Sequence, residues 1–142
     1  MCSFARSGRN WIRMEKKILV VDDAVNIRRS FCRMLELAGY RTAEASNGEE
    51  AIEAVGVGGV GLVLMDIVMP GMSGIEATRR IKSQHVDKPV ILMSGYLGRQ
   101  DISELPEGVR TVLRKPIEAE ELMAVLEKEL PPVLGEIKVE RQ

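Results

Sequence analysis

The chain has 142 residues, enough for one domain with a sizeable core and short tails. Twenty Lys and Arg stand against 21 Asp and Glu, and 4% of residues are aromatic. That balance argues against a nucleic-acid grip built on bulk positive charge or on base-stacking platforms. Two cysteines, Cys2 and Cys32, are too few for a zinc cluster, and a disulfide between a tail and a helix is not expected. No apolar run approaches a membrane span, and residues 1–13 carry arginines without the apolar stretch of a secretory signal. A reduced, cytoplasmic protein is the expectation.

In chain order, residues 1–15 read as an N-terminal extension or linker, and Met14 is itself a plausible natural start. The run Ile18–Val21 is apolar on both faces, as a central parallel strand must be. Ile27, Phe31, Met34, Leu35 and Ala38 then recur at helical spacing. Arg41–Ala45 is a weaker strand with polar residues interleaved. Asn47 is placed to cap a short helix carrying Ala51, Ile52 and Val55, with Glu50 completing a capping box. Gly56–Gly61 spells G-x-G-x-x-G, but it leaves a helix and enters a strand, the reverse of a dinucleotide site. It reads as a helix end and turn.

Val60–Met65 is a second central strand, and Ile75, Thr78 and Ile81 mark the next helix. His85, the one histidine, falls in the loop that follows. Val90–Met93 is a third central strand. Residues 99–105 form at most a short fourth helix, because Gly95, Gly98, Pro106 and Gly108 punctuate the stretch. Val109–Leu113 reads as an edge strand. Leu122, Val125, Leu126 and Leu130 mark the last helix, which Pro131–Pro132 ends. The domain is expected over 16–130, with 131–142 a C-terminal tail.

Alternating strands and helices argue for an α/β fold with a doubly wound parallel sheet. With the two polar strands at the edges and right-handed crossovers, five strands take the order 2-1-3-4-5, which is that of flavodoxin-like folds. In such a sheet ligands bind beyond the carboxyl ends of the strands, where the order reverses. Asp22 and Asp23, Asp66, Ser94 and Lys115 all follow strands and should converge there. Three crowded carboxylates must take up a proton or bind a cation. All-oxygen ligands in a small open site favour Mg²⁺. Asp66 is then a plausible nucleophile on phosphorus, with Lys115 and Ser94 placed to meet the oxygens of the resulting acyl phosphate.

Four segments carry a family resemblance: Lys17–Asp23, Leu62–Gly74, Met93–Gly95 and Leu113–Pro116. Taken in order, they resemble the receiver domain of bacterial two-component response regulators, of the CheY-like superfamily, over nearly the whole chain. The resemblance implies that Asp66 accepts a phosphoryl group from a sensor histidine kinase or a histidine phosphotransfer protein. It also implies that Asp23, Asp66 and the backbone carbonyl of Val68 hold Mg²⁺, with Asp22 acting through water. Ser94 and Lys115 would read the phosphate and shift the face formed by the fourth helix, fifth strand and fifth helix.

The chain departs from the family at Val112, where receivers carry Tyr or Phe three residues before the lysine. Tyr96 is the candidate to carry that part of the switch. Val68 and Tyr96 also occupy positions that influence attack by water in the family; neither orients a water well, so slow self-dephosphorylation is expected. The twelve residues after Leu130 are too few for a DNA-binding module, so the chain is expected to be either a stand-alone receiver or a piece of a larger regulator or hybrid kinase, with output through a downstream protein partner or a homodimer. Two other classes fit less well. An Asp-based phosphohydrolase would want an acid where Val68 stands. A receiver-like module that is never phosphorylated would have lost one of these residues.

Overall fold

The structure, a computed structural model, describes residues 16–95, 105–109 and 111–130. Five strands, β1 (Lys17–Val21), β2 (Arg41–Ala45), β3 (Val60–Asp66), β4 (Val90–Ser94) and β5 (Val112–Arg114), form one parallel sheet in the order β2-β1-β3-β4-β5. Four described helices connect or follow them: α1 (Val25–Leu37), α2 (Gly48–Val57), α3 (Gly74–Gln84) and α4 (Ala119–Glu129).

Because side chains alternate across a strand, each central strand feeds two cores. Leu19, Val21, Val63, Met65 and Leu92 pack with Ala51 and Val55 of α2 and with Ile75 and Ile81 of α3. Ile18, Val20, Leu62, Leu64, Ile91 and Met93 pack with Phe31 and Leu35 of α1 and with Leu122 and Leu126 of α4. The sheet is thus covered on both faces, which is why its central strands are uniformly apolar. Cys32 is a free cysteine buried in the second core, where it packs as a small apolar residue.

Local signals decide where the helices begin and end. Asn47 caps α2, accepting from the Glu50 amide at 2.8 Å. The return contact is displaced by one residue: Glu50 accepts from the amide and hydroxyl of Ser46 at 2.8 and 2.9 Å, not from Asn47. The segment Gly56–Gly61 ends α2 and turns into β3, with Gly58 and Gly59 at φ 106° and 89°. Those are left-handed angles that side chains resist. Ser73 caps α3 through the Glu76 amide at 3.1 Å. His85 ends that helix half-buried, its amide bonded to the Ile81 carbonyl at 2.8 Å.

Three expectations shift. Ile27 and Ala38 do not belong to the buried stripe of α1: Ile27 is 41% exposed and Ala38 lies beyond the last helical residue. Phe31, Cys32 and Leu35 are buried against the sheet, and Met34 packs half-buried against the same core. The edge strand expected at Val109–Leu113 starts later, at Val112, because a turn closed by the Val109 amide on the Pro106 carbonyl (3.2 Å) occupies its beginning. Gly108 sits in that turn at φ 93°. The expected short helix near 99–105, like Tyr96, lies outside the described residues, Leu105 excepted, which packs against the first core.

Candidate functional site

Asp22, Asp23, Asp66, Ser94 and Lys115 each stand at or just beyond the carboxyl end of a strand, whereas Val112 opens β5. β1 runs into Asp22 and Asp23, β3 ends on Asp66, β4 ends on Ser94, and β5 delivers Lys115. The crossover point between β1 and β3 therefore gathers the acids, and β4 and β5 bring the hydroxyl residue and the ammonium alongside. Carboxylate oxygens of Asp22, Asp23 and Asp66 lie within 4.8 Å of one another.

The three acids are not equivalent. Asp22 is buried, 1% exposed, and both its oxygens are engaged. Oδ1 accepts from the Ala24 amide at 2.9 Å and Oδ2 from the Lys115 ammonium at 2.9 Å. Asp23 faces solvent. Asp66 is buried, and its Oδ2 is 3.4 Å from the Lys115 ammonium. Its Oδ1 accepts a long bond of 3.4 Å from the Val68 amide. Burial pushes the Asp66 carboxyl above the usual carboxylate range. Lys115 pulls it down, the Asp22 charge raises it again, and the Val68 amide lowers it slightly. A carboxylate held this way suits partnership with a cation.

The backbone around Asp66 is clamped. The Ile67 amide donates to the Met93 carbonyl and the Gly74 amide to the Ile67 carbonyl, both at 2.8 Å. Gly74 is so close that a Cβ there would fall 2.1 Å from the Asp66 carbonyl oxygen. The buried Thr78 hydroxyl in turn donates to the Gly74 carbonyl at 2.7 Å. Gly74 is thus a close-approach glycine. Ser94 is fully buried, and its carbonyl accepts from the Lys115 amide at 2.8 Å, which ties the hydroxyl residue to the lysine through the main chain.

The sequence-expected residues Asp22, Asp23 and Asp66 are brought together with Lys115, and Ser94 is joined to Lys115. Val68 contributes its amide to Asp66, and its side chain is 64% exposed. Val112 is half-buried against the first core, and Tyr96 lies outside the described residues. Sequence patterning did not single out Arg28. Its guanidinium donates to the Asp22 carbonyl at 2.8 Å and to Glu44 of β2 at 2.7 Å. Only an expected α1–β2 neighbourhood could have suggested it.

The donor set is chemically uniform: three carboxylates, hard oxygen ligands, gathered beside one lysine ammonium. It fits a hard divalent cation and offers nothing to a soft one. Among the described residues no helix is long and apolar enough to cross a membrane.

Residues 18–127 match the response regulator receiver domain family. The chain belongs to that family, and two-component signalling is its function class. It is 39% identical over 113 residues to the uncharacterized transcriptional regulatory protein YkoG of Bacillus subtilis, covering 78% of this chain and 50% of that protein. It is 37% identical over 119 residues to sporulation initiation phosphotransferase F of the same species, covering 83% of this chain and 96% of that one. The chain thus spans half the length of the first relative and nearly all of the second. Among solved structures, response regulator protein TrrA of Thermotoga maritima, in complex with Mg²⁺-BeF, superposes with a TM-score of 0.74 at 37% identity. That match covers 81% of this chain and 99% of the other.

Proposed function

We propose that this chain is a phosphoacceptor switch in which Asp66 takes a phosphoryl group from a histidine donor, with Asp22, Asp23, Asp66 and the Val68 carbonyl forming a Mg²⁺ site. The observation that carries the reading is the convergence of three carboxylates and one ammonium at the sheet's crossover point. Mg²⁺, when bound, would screen the acids and draw charge from the phosphoryl oxygens. The receiver would span 16–130, with 1–15 and 131–142 as flanking segments.

An Asp66 carboxylate oxygen attacks phosphorus as the bond to the donor's imidazole nitrogen breaks and the electron pair leaves with that nitrogen. The clamped backbone of Asp66 holds the nucleophile in one place, which removes the orientational cost of the step. The product carries roughly −1.5 to −2 charge and three acceptor oxygens. Lys115, poised between Asp22 and Asp66, moves its ammonium onto one of them. The Ser94 hydroxyl donates to another.

Ser94 and Lys115 share a main-chain hydrogen bond, so a shift of either pulls on the edge strand β5. That edge, with Tyr96 and Val112, would form the switching surface read by a protein effector or a second copy. The donor would be a sensor histidine kinase or histidine phosphotransfer protein, and the setting cytoplasmic. Its catalysis is confined to its own phosphoryl transfer and slow loss of the group.

Incubation with acetyl phosphate and Mg²⁺, followed by intact mass measurement, tests the reading. The wild type should gain one phosphoryl group, and Asp66→Asn should gain none. An unmodified wild type, or equal labelling of both proteins, sinks it.

A further inference from the structure

Asp22 and Asp23 share one peptide unit, whose oxygen is the Asp22 carbonyl. A peptide unit is planar, so the direction of that carbonyl largely determines where the Asp23 backbone, and with it the Asp23 side chain, emerges. The last β1–β2 register pair is Val21 with Ala45, and the Asp22 amide still reaches the Ala45 carbonyl at 3.2 Å. The Asp22 carbonyl lies beyond the ladder.

Arg28 supplies its donor. The guanidinium is one planar fork with two acceptors: the Asp22 carbonyl at 2.8 Å and the Glu44 carboxylate at 2.7 Å. The Arg28 side chain is 13% exposed and that of Glu44 38%. The Arg28 amide also bonds the Ala24 carbonyl at 2.9 Å, so α1 grips the turn at two points. Glu44 sits on β2 beside Ala45, which anchors the fork to the sheet. The N-cap residue of α1, Ala24, makes no side-chain capping bond, and the Asp22 carboxylate braces the turn from the other side by accepting from the Ala24 amide at 2.9 Å, which leaves the Asp22 carbonyl to Arg28.

We propose that Arg28, oriented by Glu44, is a positioning residue for the cation site: it fixes the peptide plane joining Asp22 to Asp23 so that both carboxylates face Asp66. This rests on the reading of the acid cluster as a Mg²⁺ site. Arginine suits the task because its rigid fork serves two acceptors at once, where a lysine is a flexible point charge. Outer-layer groups that orient metal ligands change affinity about 10- to 100-fold when removed.

The test is a calorimetric titration of Mg²⁺ into wild type, Arg28→Met and Glu44→Gln, with the melting temperature of each measured in chelator. Arg28→Met keeps the aliphatic stem and removes both donors. Its Mg²⁺ Kd should rise about tenfold. Glu44→Gln keeps an acceptor but loses the charge, and its Kd should rise by a smaller factor, about threefold. An Arg28→Met protein that melts lower yet binds Mg²⁺ like wild type has lost only a structural contact, and that result overturns the proposal. Should Arg28→Met fail to fold, Glu44→Gln decides: a Kd equal to that of wild type overturns it. A wild type that binds no Mg²⁺ overturns the cation reading and this proposal with it, an outcome recognisable from the wild-type titration alone.

Discussion

Replacing Asp66 with Asn should stabilise the metal-free protein at neutral pH, although it removes the residue at the centre of the site. The charge balance around Asp66 is close to even. At an effective dielectric near 20, the Lys115 ammonium at 3.4 Å contributes about 5 kcal/mol of attraction. Asp22, at no more than 4.8 Å, repels by about 3.5 kcal/mol or more. Asp23 faces solvent, and water reduces its repulsion to about 1 kcal/mol. What remains is the desolvation of a buried carboxylate, the leading cause of its raised pKa.

Asparagine keeps an oxygen for the Val68 amide and carries no charge. The gain should be on the order of 1–2 kcal/mol, a fraction of the several kcal/mol of a fully desolvated ion. It should raise the melting temperature by about 3–8 °C. Because the folded-state pKa is raised, the penalty in the wild type is fully present above that pKa. It disappears as pH falls into the ordinary carboxylate range. Thermal unfolding followed by circular dichroism, in chelator and across that range, reads the difference. Mg²⁺ at 100 times its Kd should add about 2.7 kcal/mol to the wild type and reverse the order. If Asp66→Asn melts below wild type at neutral pH without metal, or if its advantage persists in acid, the electrostatic account is wrong.

Lys115→Met should be less forgiving. It leaves Asp22, 1% exposed, with the Ala24 amide as its remaining side-chain bond. The loss should be about 2–3 kcal/mol by urea unfolding, below the value for a wholly buried pair because the Lys115 side chain is 19% exposed. Gly74→Ala drives a methyl into the Asp66 carbonyl, 2.1 Å away before relaxation. It should cost about 3 kcal/mol in urea midpoint terms and abolish labelling by acetyl phosphate. Phosphorylated wild type, freed of donor, should keep its phosphoryl group far longer than a Val68→Glu variant in an intact-mass time course. The exposed Val68 side chain offers nothing to orient a water.

The central strands were legible because burial on both faces leaves little choice but Val, Ile, Leu and Met, as in Leu62–Met65. The acids and the lysine were legible because an α/β sheet places whatever follows its strands at one rim. Features set by contacts distant in sequence were not. Ile27 fits the helical period yet is exposed, since periodicity shows which residues share a face but not how far the sheet beneath extends. The late start of β5 depends on a turn whose closing bond no apolar count reveals. Lys115 pairs most closely with Asp22, a partner 93 residues away, at 2.9 Å, whereas strand-end reasoning alone could place it no nearer one acid than another. The Arg28–Glu44 fork joins an unremarkable helix position to an edge strand, and neither residue stands out in its own segment.

The strands that bear the acids and the strand that bears the lysine differ in how firmly they are held. β1 and β3 each lie between two neighbours, whereas β5 meets a single neighbour through three register pairs. The negative seats are thus fixed to the trunk of the molecule and the positive arm to its outermost branch. A chemical event among the seats then has one cheap mechanical outlet, the rim that carries the arm. Displacement should travel outward along that edge, while the middle of the sheet stays still.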